Sequence, residues 1–377
     1  MKKVFILAGE SSGELYGSLL ARALRARWGD VRIFGVGGQR MREEGVELVA
    51  EVSGAFGLVE LLSSLKKIKE TFSTVVSAIR RERPDVIVLI DFPDFNIGVA
   101  REISDSGIPI LYYVSPQVWA WRGKRVHTIA RISDCVAVIL PFEPELYEGT
   151  GARCEFVGHP ILEEFASLQA DKQSVKRDLG LSGESPVLAL LPGSRDSELS
   201  RLLPVMRGVA DQFRARRPEF QLIMPVAPNV KREKHSGPLG ELADRGVRLI
   251  DGDAVRVLAA SDIGVVASGT AALQAAFLGI PLVVIYRLFP LTYFLGKMIV
   301  RVKYINLVNI MCDEMVITEL LQKEARPGRI VEELQRILSD DAHRQRMLER
   351  FREVRSRFEG RHASERVSAI VGELAGW

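Results

Sequence analysis

Ten short runs of apolar, β-branched residues recur along the chain with amphipathic stretches between them. This alternation constrains the fold more than any other feature. The runs fall at 4–8, 31–36, 86–90, 109–114, 135–140, 187–191, 220–225, 247–250, 263–267 and 282–286. Most are apolar throughout rather than alternating, as parallel strands covered on both faces are. Strand–helix alternation of this kind predicts a doubly wound α/β architecture, and 377 residues give room for two such units. The alternation pauses around Gly158-His159-Pro160, a polar helical stretch follows over 163–179, and a fresh strand opens at Val187. The expected division is a first domain over 1–165, a second over 166–340 and a C-terminal helical segment over 341–377 that packs back on the first domain. The charges of that segment (Glu349, Arg350, Arg352, Glu353, Arg355, Arg357) read as a solvated helix face, not as a nucleic-acid surface.

Charge and spacing exclude several function classes. Lys plus Arg number 51 and Asp plus Glu 48, and a balance of +3 excludes a strong global polyanion binder. Cys135, Cys154 and Cys312 show no CxxC spacing, and the five histidines no HExxH or HxH spacing, so neither a disulfide framework nor a zinc site is expected. No metal or other cofactor is expected. GxxxxGK[ST] is absent, which excludes a P-loop NTPase, and neither Gly9–Gly13 nor Gly35–Gly38 completes GxGxxG. Lys2 and Lys3 precede only five apolar residues, too few for an export signal. The uncharged stretch 263–286 is long enough to cross a bilayer, but Ser268-Gly269-Thr270 and Gly279-Ile280-Pro281 break it into strand, loop, helix and strand. A cytoplasmic protein that does not span the membrane is expected.

Open α/β sheets bind ligands beyond the carboxyl ends of their strands, so the candidate residues are those that follow each run. After the first run come Gly9, Glu10, Ser11, Ser12, Gly13 and Glu14, a tight turn into a helix whose free N–H groups suit an anion or a sugar hydroxyl, or an ordinary loop capped by Ser12. After the third come Asp91, Phe92, Pro93, Asp94, Phe95 and Asn96. A carboxylate there can accept a proton from a hydroxyl nucleophile. Asp94 reads as the N-cap of the next helix, while Asp91 has no such local role. Then come Ser115-Pro116-Gln117-Val118-Trp119-Ala120-Trp121-Arg122, whose tryptophans, with Arg122, Lys124 and Arg125, form either a wall for a lipid or phosphate or part of the core. In the second half, Gly193, Ser194 and Arg195, with Glu198 beyond, suit a phosphate, and Ser268, Gly269, Thr270 and Ala271 open a second anion-binding helix. Two segments carry an apolar face with basic flanks, as an interfacial helix on anionic lipid does: Leu58, Leu61, Leu62, Leu65, Ile68 and Phe72 beside Lys66, Lys67 and Lys69, and the stretch 288–304. The alternative for both is a helix packed on the sheet.

Six stretches together resemble the lipid-A-disaccharide synthase family: AGESSGE (8–14), IDFPDFN (90–96), YVSPQVWAWR (113–122), VGHPILE (157–163), LLPGSRDSEL (190–199) and ASGTAAL (267–273). They span most of the chain in the family's order. The resemblance implies a GT-B glycosyltransferase fold, two Rossmann-like doubly wound domains facing each other across a cleft with C-terminal helices. It implies transfer of 2,3-diacylglucosamine from UDP to 2,3-diacylglucosamine 1-phosphate (lipid X), giving lipid A disaccharide 1-phosphate and UDP. It also implies peripheral association with the cytoplasmic face of the inner membrane; oligomerisation is left open. The sequence departs from the family pattern at Glu14, where Asp is usual, at Gln274, where Glu is usual, at Val308 before Asn309, and over 311–314.

On this reading Asp91 is the base for the acceptor's primary hydroxyl, and attack opposite UDP inverts the anomeric centre through an oxocarbenium-like state. Glu10, Ser12, Gly13, Asn96, Trp119 and Arg122 are the expected substrate contacts. Gly193, Ser194, Arg195, Glu198, Ser268, Gly269, Thr270, Ala271, Gln274, Arg287 and Asn309 are the expected UDP contacts. The competing readings are a UDP-N-acetylglucosamine epimerase, another GT-B transferase, or a sugar-nucleotide-binding protein without turnover.

Overall fold

The computed structural model describes residues 1–51, 61–166, 171–228, 230–289 and 302–377. They divide into two compact units, Met1–Glu163 with Gly360–Trp377, and Glu164–Glu359. Each is built on a parallel sheet. In the first unit β1 (Lys2–Ala8), β2 (Val31–Gly37), β3 (Glu47–Glu51), β4 (Val86–Ile90), β5 (Ile110–Tyr113), β6 (Cys135–Val138) and β7 (Arg153–Phe156) lie in the order β3-β2-β1-β4-β5-β6-β7. In the second, β8 (Val187–Leu191), β9 (Gln221–Val226), β10 (Val247–Asp251), β11 (Ile263–Ala267), β12 (Leu282–Tyr286) and β13 (Glu319–Leu321) lie in the order β10-β9-β8-β11-β12-β13. Every described pairing is parallel. Both orders reverse beside the first strand of their unit, at β1/β4 and at β8/β11, and such a switch point opens a crevice at the strands' carboxyl ends.

The central strands are buried on both faces, from Val4 to Ala8 and through all of β4, β8 and β11. Helices cover them. Edge-to-face pairs lock the cores, Phe5 on Phe34 at 5.3 Å in the first unit and Phe213 on Phe220 at 5.1 Å in the second. Three strands lacked a signal in sequence: β3, β7 and β13. They are sheet edges, short and half-exposed with charged residues, so they carry no apolar run.

The expected boundaries shift. The chain crosses between units at 163/164, and of the segment 341–377 only the part from Gly360 onward belongs to the first unit. Helix Asp341–Ser356 stays with the second because it buries Met347, Phe351 and Val354, and Arg355 donates to the Phe277 carbonyl at 2.8 Å. Helix Ala363–Ala375 packs against helix Ser11–Trp28, where the Trp28 indole N–H donates to the Ser368 carbonyl at 3.2 Å.

No helix among the described residues is long and apolar enough to cross a membrane. Of the proposed lipid-facing stripe, Leu58 and the side chains of Leu61, Leu62, Leu65, Lys66 and Lys67 lie outside the described residues, as does most of 288–304. Ile68 and Phe72 pack against the core of the first unit, Phe72 edge-on to Phe95 at 5.7 Å. That end of the stripe is partly buried against the core.

Candidate active site

At the β1/β4 switch point of the first unit, two loops are built as one piece. Gly9 and Glu10 turn the chain into helix Ser11–Trp28. Glu10 takes the cap position in an extended conformation, so Ser12 lies in the first turn with Gly13 instead of capping it. After β4, Asp91 and Phe92 both adopt left-handed backbone, with φ of 46° and 43°. Two successive side-chain-bearing residues in that region are strained. The strain is held by hydrogen bonds. The Asp91 N–H donates to the Tyr113 carbonyl at 3.1 Å, and its carbonyl accepts from Asn96 Nδ2 at 2.7 Å and the Tyr112 hydroxyl at 2.8 Å. Phe92 stacks on Phe95 with ring centres 5.4 Å apart and lies against Gly9, where any Cβ would collide with its ring. The result is a half-buried Asp91 carboxylate on an immobilised turn beside the Gly9–Gly13 loop.

Two expectations at this turn change. Asn96 is fully buried and its amide N–H groups donate to the carbonyls of Ile90 and Asp91, so it positions Asp91. Asp94 is not the N-cap. Phe92 occupies that position, and Asp94, exposed in the first turn of helix Pro93–Glu102, pairs with Arg125 and, at 3.5 Å, with Arg122. Glu14, the departure from the family pattern, accepts from the Arg40 N–H at 2.9 Å and so ties the first helix to the start of the short helix Gln39–Glu43 that follows β2.

The loop after β5 is also strained, with φ of 63° at Val114 and 56° at Arg122. The two tryptophans part company. Trp119 is half-buried and edge-on to Phe142 at 5.6 Å, while Trp121 is exposed with Arg122 over its ring at 4.5 Å. Beneath Trp119 lies a residue that sequence reasoning missed. Glu143 is fully buried, and its Oε2 accepts from the N–H groups of Ile139 at 3.1 Å and Leu140 at 2.9 Å. Burial pushes its carboxyl up to about 7; these two donors and the nearby Trp119 indole N–H hold it down, and the charge of Asp91 adds to the rise. The indole N–H is near but closes no hydrogen bond. A lone Glu after Leu140-Pro141-Phe142 is the only sequence signal of this group. His159 is excluded as a base: desolvation pushes it down to about 3, and its Nδ1 accepts from the Ile161 N–H at 3.3 Å.

In the second unit the β8/β11 switch point brings together the loops holding Gly193–Arg195 and Ser268–Ala271. The first is not an open row of donors. The Glu198 carboxylate accepts from the N–H groups of Ser194 at 3.0 Å and Arg195 at 3.3 Å, and Gly193, at φ 99°, leaves the room this needs. Glu198 therefore shapes the loop from within. The Arg195 side chain remains more than half exposed. The second loop is the open one. Gly269 caps helix Thr270–Phe277 with no side-chain bond and is exposed, with Thr270 and Ala271 half-buried behind it.

Three further expectations move inward. Gln274 is nearly buried and donates to Glu164 at 3.2 Å. Arg287 donates to the Ala325 carbonyl at 2.7 Å, which ties it to the β12–β13 edge. Asn309 is fully buried and satisfied. Its Nδ2 donates to the Ile317 carbonyl at 2.8 Å and to Glu319 at 3.0 Å, and its Oδ1 accepts from the Ile317 N–H at 2.9 Å. Glu319, unnoticed in sequence, is the hub there: it also binds the N–H of Ile305 and both the backbone and side-chain N–H groups of Asn306. Asn309 thus holds the segment 305–319 together. Among the described residues, no three His, Cys, Asp or Glu side chains converge as metal ligands would.

A family model described as lipid-A-disaccharide synthetase matches residues 4–371. The lipid-A-disaccharide synthase of Myxococcus xanthus is 40% identical over 377 residues, 99% of this chain and 97% of the relative. That of Geobacter sulfurreducens is 38% identical, covering 99% and 97%. Among solved structures, a UDP-GlcNAc 2-epimerase from Neisseria meningitidis bound to UDP-GlcNAc superposes with a TM-score of 0.68 at 11% identity, covering 99% of both chains. The glycotransferase of kitacinnamycin superposes with a TM-score of 0.64 at 17% identity, again covering 99% of both. At such identities the structures speak for the GT-B fold alone, while the sequence matches over nearly the whole length make this chain a member of the lipid-A-disaccharide synthase family.

Proposed function

We propose that this chain, a glycosyltransferase of lipid A disaccharide synthesis, moves a 2,3-diacylglucosaminyl group from UDP to the primary hydroxyl of a 2,3-diacylglucosamine 1-phosphate acceptor, with inversion. Asp91 takes the hydroxyl proton as the oxygen attacks. The observation that carries this role is the Asp91–Phe92 turn: left-handed at both residues and tied down by Tyr112, Tyr113 and Asn96. A base held at a fixed place loses nothing to reorganisation when the acceptor binds. On the donor side, Arg195 and the exposed helix start at Ser268–Ala271 supply positive charge and N–H groups to the departing diphosphate. No metal is invoked. Acyl chains on both substrates require the protein to work at a lipid surface, as a peripheral protein.

Supplying both lipid substrates should release UDP together with a disaccharide of the summed mass. Asp91→Asn should lower that turnover by about 10²–10⁴-fold while UDP affinity stays near that of the parent. An Asp91→Asn enzyme of near-parental rate would remove Asp91 from the chemistry. UDP release from the donor alone, with no disaccharide, would favour an epimerase-like reaction.

A further inference from the structure

Arg122 and Arg125 converge on one carboxylate oxygen at the carboxyl ends of β4 and β5. Both guanidiniums pair with Asp94 Oδ1, and both lie over the indole of Trp121, at 4.5 and 5.8 Å from its centre. Trp121 is one of the few large apolar side chains left exposed among the described residues. Fold stability alone does not account for this cluster, although the Arg125 side chain is only 17% exposed. Asp94 is 76% exposed, and ion pairs so open to water contribute little. Building the cluster costs backbone strain as well, since Arg122 is left-handed at φ 56°. From Gln117 to Ile132 the chain carries Arg122, Lys124, Arg125 and Arg131 and no acid. Strain whose exposed anchors, Asp94 and Arg122, return little stability is a mark of a functional site.

The chemistry is that of a phosphate monoester seat. Two planar guanidiniums flanking one anionic oxygen can each offer paired N–H groups to a phosphate dianion, a stronger partner than a single carboxylate. The cluster also borders the proposed base. The hydroxyl of Tyr112 donates to the Asp91 carbonyl at 2.8 Å, and the same buried phenol feels the charges of both Asp91 and Arg125. In an acceptor sugar with its primary hydroxyl at Asp91, the anomeric carbon and the carbon bearing the hydroxymethyl group both bond the ring oxygen, so the phosphate lies on the same end of the ring as the reacting hydroxyl.

We propose that Arg122 and Arg125 form the seat for the acceptor's anomeric phosphate, with Asp94 as the resident anion that holds the two guanidiniums in register until the phosphate replaces it and Trp121 as an apolar floor beside it. This assignment rests on the acceptor named under the proposed function. Inorganic phosphate or an anionic headgroup offers related charge, and the test separates these sources.

The full-length chain would be bound to neutral phosphatidylcholine vesicles doped with diacylglucosamine 1-phosphate, with its dephosphorylated counterpart, or with phosphatidylglycerol. The parent should bind the first about tenfold more tightly than the second or third. Inorganic phosphate at matched concentration should not abolish that preference. Arg122→Gln and Arg125→Gln should each remove most of it, and Arg122→Lys should restore part. If Arg125→Gln does not fold, Arg122→Gln decides, because its side chain is half exposed. Equal binding of the phosphorylated and dephosphorylated glycolipids, a preference that survives both Gln variants, or an equal gain from phosphatidylglycerol would overturn the seat. Absence of UDP release alongside an intact, arginine-dependent phosphate preference would instead strike the transfer reaction and leave the seat standing.

Discussion

At the scale of single residues, Glu143 gives the sharpest pH signature. Its carboxyl is raised from 4.5 to about 7, mainly by burial. Between those two values the native chain keeps a proton that the unfolded chain has released, so stability falls as pH rises through the window and is flat above it. Gln at this position is neutral at every pH, and its Oε can still accept from both Ile139 and Leu140, because both bonds reach one oxygen. Glu143→Gln should therefore gain on the parent between pH 5 and pH 8, by at most about 3 kcal/mol. Denaturant titrations at the two pH values measure this, and a difference that does not change with pH would show that Glu143 keeps no proton when folded. Asp91 and Glu143 illustrate what sequence shows and hides. Asp91 stood out because it ends an apolar run with no helix to cap. Glu143 did not, because its burial and its neighbour Trp119 are set by the tertiary fold, which no local pattern announces.

At the scale of elements, the two loops beside β1 and β4 are coupled through one contact. A Cβ on Gly9 would enter the ring of Phe92. Gly9→Ala alone should destabilise the first unit by about 1–3 kcal/mol, the cost of overpacking, and disturb Asp91 with it. Adding Phe92→Ala should recover part of that loss. Additive effects in the double-mutant cycle would mean the loops are independent. These loops were legible in sequence because their strands are buried throughout and so read as unbroken apolar runs. β3, β7 and β13 were not, because an edge strand needs only one covered face and here carries charge on the other. On the donor side, composition suggested open N–H groups at Gly193–Arg195. The structure fills two of them with Glu198, four residues beyond Ser194. An acidic residue in the first turn of a helix reads equally as a helix stabiliser or as a loop filler, and only the left-handed Gly193 decides between them.

At the scale of the molecule, residues from Gly360 onward complete a unit that began at Met1. Val367, Ile370 and Val371 are fully buried in that final helix, and Trp28 packs edge-on to Trp377 with ring centres 5.4 Å apart while Lys2 sits over both rings. Each buried aliphatic side chain contributes about 1.5–3 kcal/mol. Ending the chain at Glu359 should lower the melting of the first unit by many degrees and leave that of the second in place. A scan of the truncated chain would then show two separated transitions, and a single unshifted transition would contradict the packing. The same arrangement bears on how the protein is made. Chains leave the ribosome from the N-terminus, and domains generally fold as they emerge. Here Glu164–Glu359 is contiguous and can close first. The unit translated earliest has only its lowered stability, with the side of helix Ser11–Trp28 that meets the final helix uncovered, until the last segment arrives. The first half of the chain is therefore the later to reach full stability, and the proposed base Asp91 stands in a completed unit only after translation has passed Gly360.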